Sequence, residues 1–327
     1  MKTFKTSLKV LCLIITLVVV VSGCAQQGPT DETPEGPDTS PQATQMGIAT
    51  ATVGGAYYPM GQAIANVVNA HYDGAVLNAE VTNGALENNR LVNDGEVALA
   101  ITNADLAFYA YNGQAPYDAK QNVVALGNLH PSVFHIITLA NSPIDSIEDL
   151  KGKRVACGPA GGASIGIMEN ILAEYGMSFD DIIPSYLPYS DGYTQMSDGN
   201  VDVALATSGY PAAAVMEVTA TKDIKFLEVD PDILEDMLEK YPYYTDANVP
   251  GDVYKLESDV TAIGISNVFV CNPDMDEDLA YNIAKALYDN VAELKENNKT
   301  AEQIDETKLS ETSIPLHPGA QRYFDEN

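Results

Sequence analysis

The chain has 327 residues, 46 % of them hydrophobic, and a formal net charge of −29 from 46 acidic and 17 basic side chains. That length is enough for a large core and favours two lobes over one, while the charge excludes nucleic acid and acidic lipid as partners. The four cysteines show no zinc-type spacing, so no metal site is expected.

At the start, Lys2, Lys5 and Lys9 precede an uncharged run from Val10 to Val21, which ends in Val21-Ser22-Gly23-Cys24. The run is shorter than the ~20 residues of a spanning helix, and small residues precede the cysteine. Residues 1–23 therefore read as a lipoprotein signal peptide, with Cys24 as the lipidated N-terminus. Loss of the three lysines would take the net charge to −29 − 3 = −32. Residues 24–45, rich in Gln, Pro, Thr, Asp, Glu and Gly, read as a disordered tether. A lipid, a tether and a body from Met46 predict an extracytoplasmic protein, lipid-anchored to the outer face of the cell membrane or in the periplasm. Cys157 and Cys271 each end an apolar run and read as small buried thiols, not a bridge.

Along the body, Ile48 to Val53 reads as a strand, and Pro59 opens a helix with Met60, Ala63, Ile64, Val67 and Val68 on one stripe. The alternation repeats with a strand over 79–82 and a helix over 85–93, then a strand over 97–102 and a helix over 104–112 closed by Gly113. Two strands follow, 123–126 and 133–139, broken at His130-Pro131. A strand over 154–157 leads through a glycine loop into a helix bearing Ile165, Met168, Ile171, Leu172 and Tyr175. Strands are predicted at 201–206 and 224–229, and the tyrosine-rich stretch 241–256 reads as a surface excursion. A long strand over 260–270 and a helix over 279–294 return the chain to its first lobe.

Alternating strands and helices imply α/β class, and two crossings imply a hinged clamshell with a mixed, helix-flanked sheet in each lobe. Lobe 1 is predicted from 46–131 and 260–327, and lobe 2 from 132–259. Glycines at 54, 55, 84, 158, 161 and 162 each follow a strand-like run and open a helix-like one. Helix starts carry unpaired N–H groups and partial positive charge, so several converging on one cleft would hold a small anion without an arginine. Of the arginines, Arg90, Arg154 and Arg322 are all expected in structural or surface roles, and His130 and His135 in the core or on the surface, not on a metal.

From Met46 to Asn327 the chain resembles the TAXI subfamily of solute-binding proteins of tripartite ATP-independent periplasmic (TRAP) transporters. The resemblance is carried by Gly54-Gly55-Ala56-Tyr57-Tyr58-Pro59-Met60-Gly61, by Asn83-Gly84-Ala85-Leu86-Glu87-Asn88-Asn89-Arg90-Leu91 with Gly95-Glu96, and by Thr102-Asn103-Ala104-Asp105 running to Gly113. Leu150 to Val155, the glycine loop from Gly158 and His317-Pro318-Gly319-Ala320 complete it. It implies a type II periplasmic-binding-protein clamshell, no catalysis and no cofactor or metal. The implied ligand is a small carboxylate such as glutamate, glutamine or 2-oxoglutarate, and the implied partner is a sodium-driven TRAP permease. It further implies ligand contacts at Gly55, Tyr57, Tyr58, Ala85, Asn88, Asn103, Asp105, Gly161, Gly162 and Ser164. Ala56, Ala85 and Gly162 stand where the family usually carries hydroxyl side chains, each a hydrogen bond of roughly 0.5 to 1.5 kcal/mol.

Two alternatives belong to other classes. Gly162-Ala163-Ser164-Ile165-Gly166 has the spacing of a nucleophile elbow, which would make Ser164 the nucleophile of a secreted hydrolase. A ligand-sensing input module would share the receptor fold.

Overall fold

A computed structural model describes residues 43–327; the predicted signal peptide, Cys24 and nearly all of the predicted tether lie outside the described residues. The tether prediction reached too far, because Thr44 and Gln45 already belong to the first strand, β1 (Thr44–Ala49), which pairs in parallel with β2 (Ala75–Glu80). Between them runs α1 (Tyr57–His71), whose Met60, Ile64, Val67 and Val68 are buried against the sheet, as the stripe predicted. Strand β2 starts four residues before its predicted position. Only Ala75 and Leu77 face the core, while Asn78 and Glu80 point outward, so the sequence there reads as polar although it sits in the sheet.

Helices α2 (Ala85–Asn93) and α3 (Ala104–Asn112) fall at their predicted bounds, separated by the wholly buried β3 (Leu99–Asn103). The predicted break at His130-Pro131 is absent: β4 runs unbroken over Val124–Leu139. Proline fits because the edge it would deny a hydrogen bond is not covered there; β7 pairs with β4 only from Val133 to Ile137.

Next come β5 (Arg154–Ala156), α4 (Ser164–Glu174), β6 (Ile183–Ser185), α5 (Tyr189–Ser197), β7 (Val203–Ser208), α6 (Ala213–Thr219) and β8 (Ile224–Phe226). After α7 (Pro231–Lys240), the stretch expected as a surface excursion forms β9 (Tyr244–Val249) and the single turn α8 (Gly251–Tyr254). Two of its tyrosines bury their rings and keep their hydroxyls satisfied: the Tyr244 hydroxyl accepts from Asn170 at 2.9 Å, and that of Tyr254 from the Ala212 amide at 2.8 Å. Strand β10 (Val260–Cys271) follows. The predicted last long helix is two, α9 (Glu277–Tyr288) and α10 (Val291–Asn297), parted at the non-helical Asn290, and α11 (Pro318–Glu326) ends the chain.

The sheet order is β2-β1-β3-β10-β4-β7-β5-β6, with β8 paired to β4 and β9 to β10. Strands β4 and β10, paired antiparallel, carry the chain between the β1–β3 and the β5–β7 sides. On each side the parallel strands end at the same place, so the turns after β1, β2 and β3 face the turns after β5 and β7. Cys157 and Cys271 are buried free thiols, and burial pushes the Cys157 thiol up to about 12.

Candidate ligand-binding site

The facing turns touch. The Leu86 amide donates to the Gly161 carbonyl at 2.8 Å, the Ala214 amide to the Gly54 carbonyl at 3.1 Å, and the Ala56 amide to Ser208 Oγ at 3.0 Å. The Tyr109 and Tyr243 hydroxyls also meet across the cleft.

These contacts enclose a small cavity of about 20 Å³, room for one water-sized group, between the starts of α1, α2 and α4. Gly55, Tyr57, Ala85, Asn103 and Gly162 line it, bringing together five of the predicted site residues. First-turn amides of these helices have no carbonyl partner within their own helix, and there is no cation in the wall. Beside it, sharing Gly162 and Ala163, lies a cavity of about 420 Å³ lined by Asp105, Tyr109, Gln114, Glu169, Asn170 and Tyr244 among others.

Beneath the small cavity, at the crossing strands, a buried network fixes two of its walls. Tyr57 donates its hydroxyl proton to Asn267 Oδ1 at 2.5 Å, Asn103 Nδ2 donates to the same oxygen at 2.9 Å, and Asn267 Nδ2 donates to the His130 carbonyl at 2.7 Å. Tyr57 therefore offers its ring, not its hydroxyl, to a ligand. His130 is buried with neither ring nitrogen partnered among the described residues, and burial lowers its pKa to about 3, so it is neutral. His135 differs: its ring nitrogens meet the Val133 carbonyl and the Tyr254 hydroxyl.

Four predicted contacts, Tyr58, Asn88, Ser164 and Gly161, line neither cavity. Tyr58 is half-buried. Asn88 is buried and fully used by the protein: Nδ2 donates to the carbonyls of Thr50 at 2.6 Å, Ile101 at 2.7 Å and Ala49 at 3.3 Å, and Oδ1 accepts from Thr82 at 2.6 Å. It ties α2 to β1 and β3. Asn88→Ala removes the amide donor from three carbonyls, of which that of Thr50 keeps the Thr82 hydroxyl, and is expected to lower unfolding stability by about 1 to 3 kcal/mol in urea titration. Unchanged stability would show that water replaces the amide.

Ser164 is fully buried, and its Oγ meets the Tyr189 hydroxyl at 2.8 Å, Thr207 Oγ1 at 3.1 Å and the Thr207 amide at 3.1 Å. It has no histidine partner, so the hydrolase alternative lacks its base; the serine instead holds Tyr189 and Thr207, which line the small cavity. Gly161 contributes the carbonyl that closes the cleft on Leu86, not a wall.

Tyr189 and Thr207 went unread in the sequence. The available signals were Pro188 before Tyr189, and the position of Thr207 at the end of an apolar run, where strand ends face a cleft. The arginines are spent as expected: Arg154 pairs with Asp202 at 2.6 Å, Arg322 with Glu277 and Asp278 at 2.8 Å each, and Arg90 lies over the Tyr117 ring at 5.7 Å. His317 caps α11, its Nδ1 accepting from the Gly319 amide at 3.1 Å. Among the described residues, no cluster of three His, Cys, Asp or Glu side chains is placed to hold a metal ion, and no helix is long and apolar enough to cross a membrane.

Asp105 is 3 % exposed and has no basic partner among the described residues; its Oδ1 accepts from the adjacent Leu106 amide at 2.6 Å, its own backbone amide also faces the carboxyl, and burial raises that carboxyl to about 7.

A mixed sheet crossed twice, with helix starts converging on an enclosed cleft, defines the periplasmic-binding-protein-like class. The chain belongs to the NMT1-like family, whose profile matches residues 48–327. A putative aliphatic sulfonates-binding protein of Escherichia coli K12 is 34 % identical over 87 residues, which is 27 % of each chain. The chain thus matches about a quarter of that relative's length. Among solved structures it is similar to the periplasmic aliphatic sulphonate binding protein SsuA from Escherichia coli, at 18 % identity and a TM-score of 0.47, covering 88 % of this chain and 84 % of that one. It is also similar to a putative L-cystine ABC transporter protein from Listeria monocytogenes, at 15 % identity and a TM-score of 0.49, covering 83 % of this chain and all of the other.

Proposed function

We propose that this chain is an extracytoplasmic solute receptor, not an enzyme, that closes around a small carboxylate such as glutamate, glutamine or 2-oxoglutarate and hands it to a membrane permease. In this reading Cys24 carries the lipid anchor, lobe 1 comprises 46–131 and 260–327, lobe 2 comprises 132–259, and β4 with β10 forms the hinge. The observation that carries it is the pair of adjoining cavities in the cleft, about 420 Å³ and about 20 Å³, the smaller walled by the starts of α1, α2 and α4, where backbone amides supply the positive potential that the acidic surface lacks. The permease is a sodium-driven TRAP system, in keeping with the TAXI-like motifs of the glycine turns.

A second reading is favoured by the sulfonates-binding relative: the acid is a sulfonate and the permease an ATP-driven one. Both use the same helix starts, since each presents oxygens of one negative charge to backbone donors.

The test is thermal shift of the protein from Met46 onward with glutamate, glutamine, 2-oxoglutarate and alkanesulfonates. Binding at a hundredfold excess over Kd stabilises the folded state by about 2.7 kcal/mol. Stabilisation by one acid class selects between the readings, and none by either removes the acid assignment. Uptake driven by a sodium gradient or by ATP then identifies the permease type.

A further inference from the structure

The larger cavity is chemically unlike the small one. Its approximately 420 Å³ is of ligand size, its apolar wall includes Leu86, Leu106 and Ile165, and its charged members are Asp105 and Glu169, with no lysine or arginine among the lining residues. Asp105 stands on α3, on the β1–β3 side, and Glu169 on α4, on the other, so closure sets two acidic side chains against one enclosed space. A purely anionic solute placed there would meet two like charges, offset only at the end where the start of α4 (Gly162, Ala163, Ile165 and Gly166) forms the wall. Asp105 is also expensive as a structural residue: a carboxyl so deeply buried normally has a basic partner or several side-chain donors, and its donors are only the local backbone amides of Leu106 and of Asp105 itself.

We infer that Asp105 is the specificity-determining contact for a positively charged group of the ligand, seated in the larger cavity while the ligand's acid end occupies the adjoining helix starts. The two spaces share Gly162 and Ala163, so one molecule can span them. The substrate class is then a zwitterion, an amino acid or amino-sulfonic acid with a free ammonium, and the amine-free acids of the same length are excluded. An ammonium supplies the charged donors that Asp105 lacks, and charge-assisted hydrogen bonds of this kind are short and strong. The net charge of −29 also draws the cationic end inward, whereas it repels a simple dianion. The burial that raises the Asp105 carboxyl to about 7 is what a cation relieves.

This inference rests on the receptor reading, and the experiment separates the two. Calorimetry is run on the protein from Met46 onward with three pairs of solutes that differ only in the ammonium group: glutamate and glutarate, glutamine and glutaramate, taurine and ethanesulfonate. In any pair that binds, the amino member is expected to bind at least about tenfold tighter, the worth of one charge-assisted contact. Asp105→Asn is expected to erase that preference by weakening the amino member and, through loss of the like charge, strengthening the amine-free member, a pattern general loss of structure does not produce. An amine-free acid that binds as tightly as its amino partner overturns the inference and leaves the receptor standing. A preference that survives Asp105→Asn overturns the assignment to this residue. If no member of any pair binds, the small-acid receptor reading fails and takes the inference with it.

Discussion

Asp105→Asn is expected to stabilise the ligand-free protein at pH 8 by up to roughly 4 kcal/mol, the free energy of a carboxyl held near 7 instead of its ordinary 3.8. The sign follows from proton binding. The folded chain holds the Asp105 proton more tightly than the unfolded chain, so this group's contribution is fully present below about pH 4 and is lost as pH rises through about 7. The variant carries no such loss, and the Leu106 amide still finds an oxygen acceptor on the asparagine. At pH 4 the difference should shrink to below about 1 kcal/mol. Urea titrations of both proteins at pH 4, 6 and 8 check this. A difference that does not grow with pH would mean that Asp105 is solvated in the ligand-free state. Keeping a destabilising carboxylate at such a position is what a binding site costs a fold.

Gly161→Ala should leave the ligand-free protein almost untouched and spoil closure. A Cβ at Gly161 would stand 2.9 Å from the Asn83 Cβ and 3.2 Å from the Asn83 carbonyl carbon, across the cleft and against backbone that cannot swing away. Gly161 is not held at positive φ, so alanine adds no local strain. The cost falls on the closed form alone. Overpacking of this size costs about 1 to 3 kcal/mol, which is about a 5- to 150-fold loss of ligand affinity. Unfolding stability without ligand should stay within about 0.5 kcal/mol of the parent. Calorimetry with the best-bound solute, paired with small-angle scattering of the liganded variant, reads both effects. Undiminished affinity with a compact liganded shape would show that the turns can separate at that point without opening the site. Gly84 is the less informative partner, since its φ of +115° makes any side chain strained whatever stands across the cleft.

Much of the first half of the body was legible because its signals are local. The helices over 85–93 and 104–112 are bounded by Gly84, Asn103 and Gly113, and the α1 stripe repeats at helical spacing; each depends on neighbours within a turn or two. Where position in the sheet overrides local chemistry, the reading failed. Pro131 looks like a strand breaker, yet it occupies a stretch of β4 whose second edge is not yet covered. Tyr244 and Tyr254 look polar in the sequence, yet the fold buries their rings and satisfies their hydroxyls through Asn170 and Ala212.

The same division holds for the site. From the sequence alone came the strand-glycine-helix turns, and with them the expectation of an anion at the helix starts, because a helix start has the same unpaired amides wherever it is placed. Which of those turns meet, and which side chains are left over, was decided by tertiary structure. Asn88 and Ser164 are polar residues next to the right turns, but their hydrogen-bonding capacity is consumed by carbonyls and hydroxyls more than a dozen residues away. Asp105 shows the converse. At the start of a helix its carboxylate is adequately explained by the dipole, and only the folded chain reveals that it is buried, without a basic partner among the described residues, and part of the wall of the larger cavity.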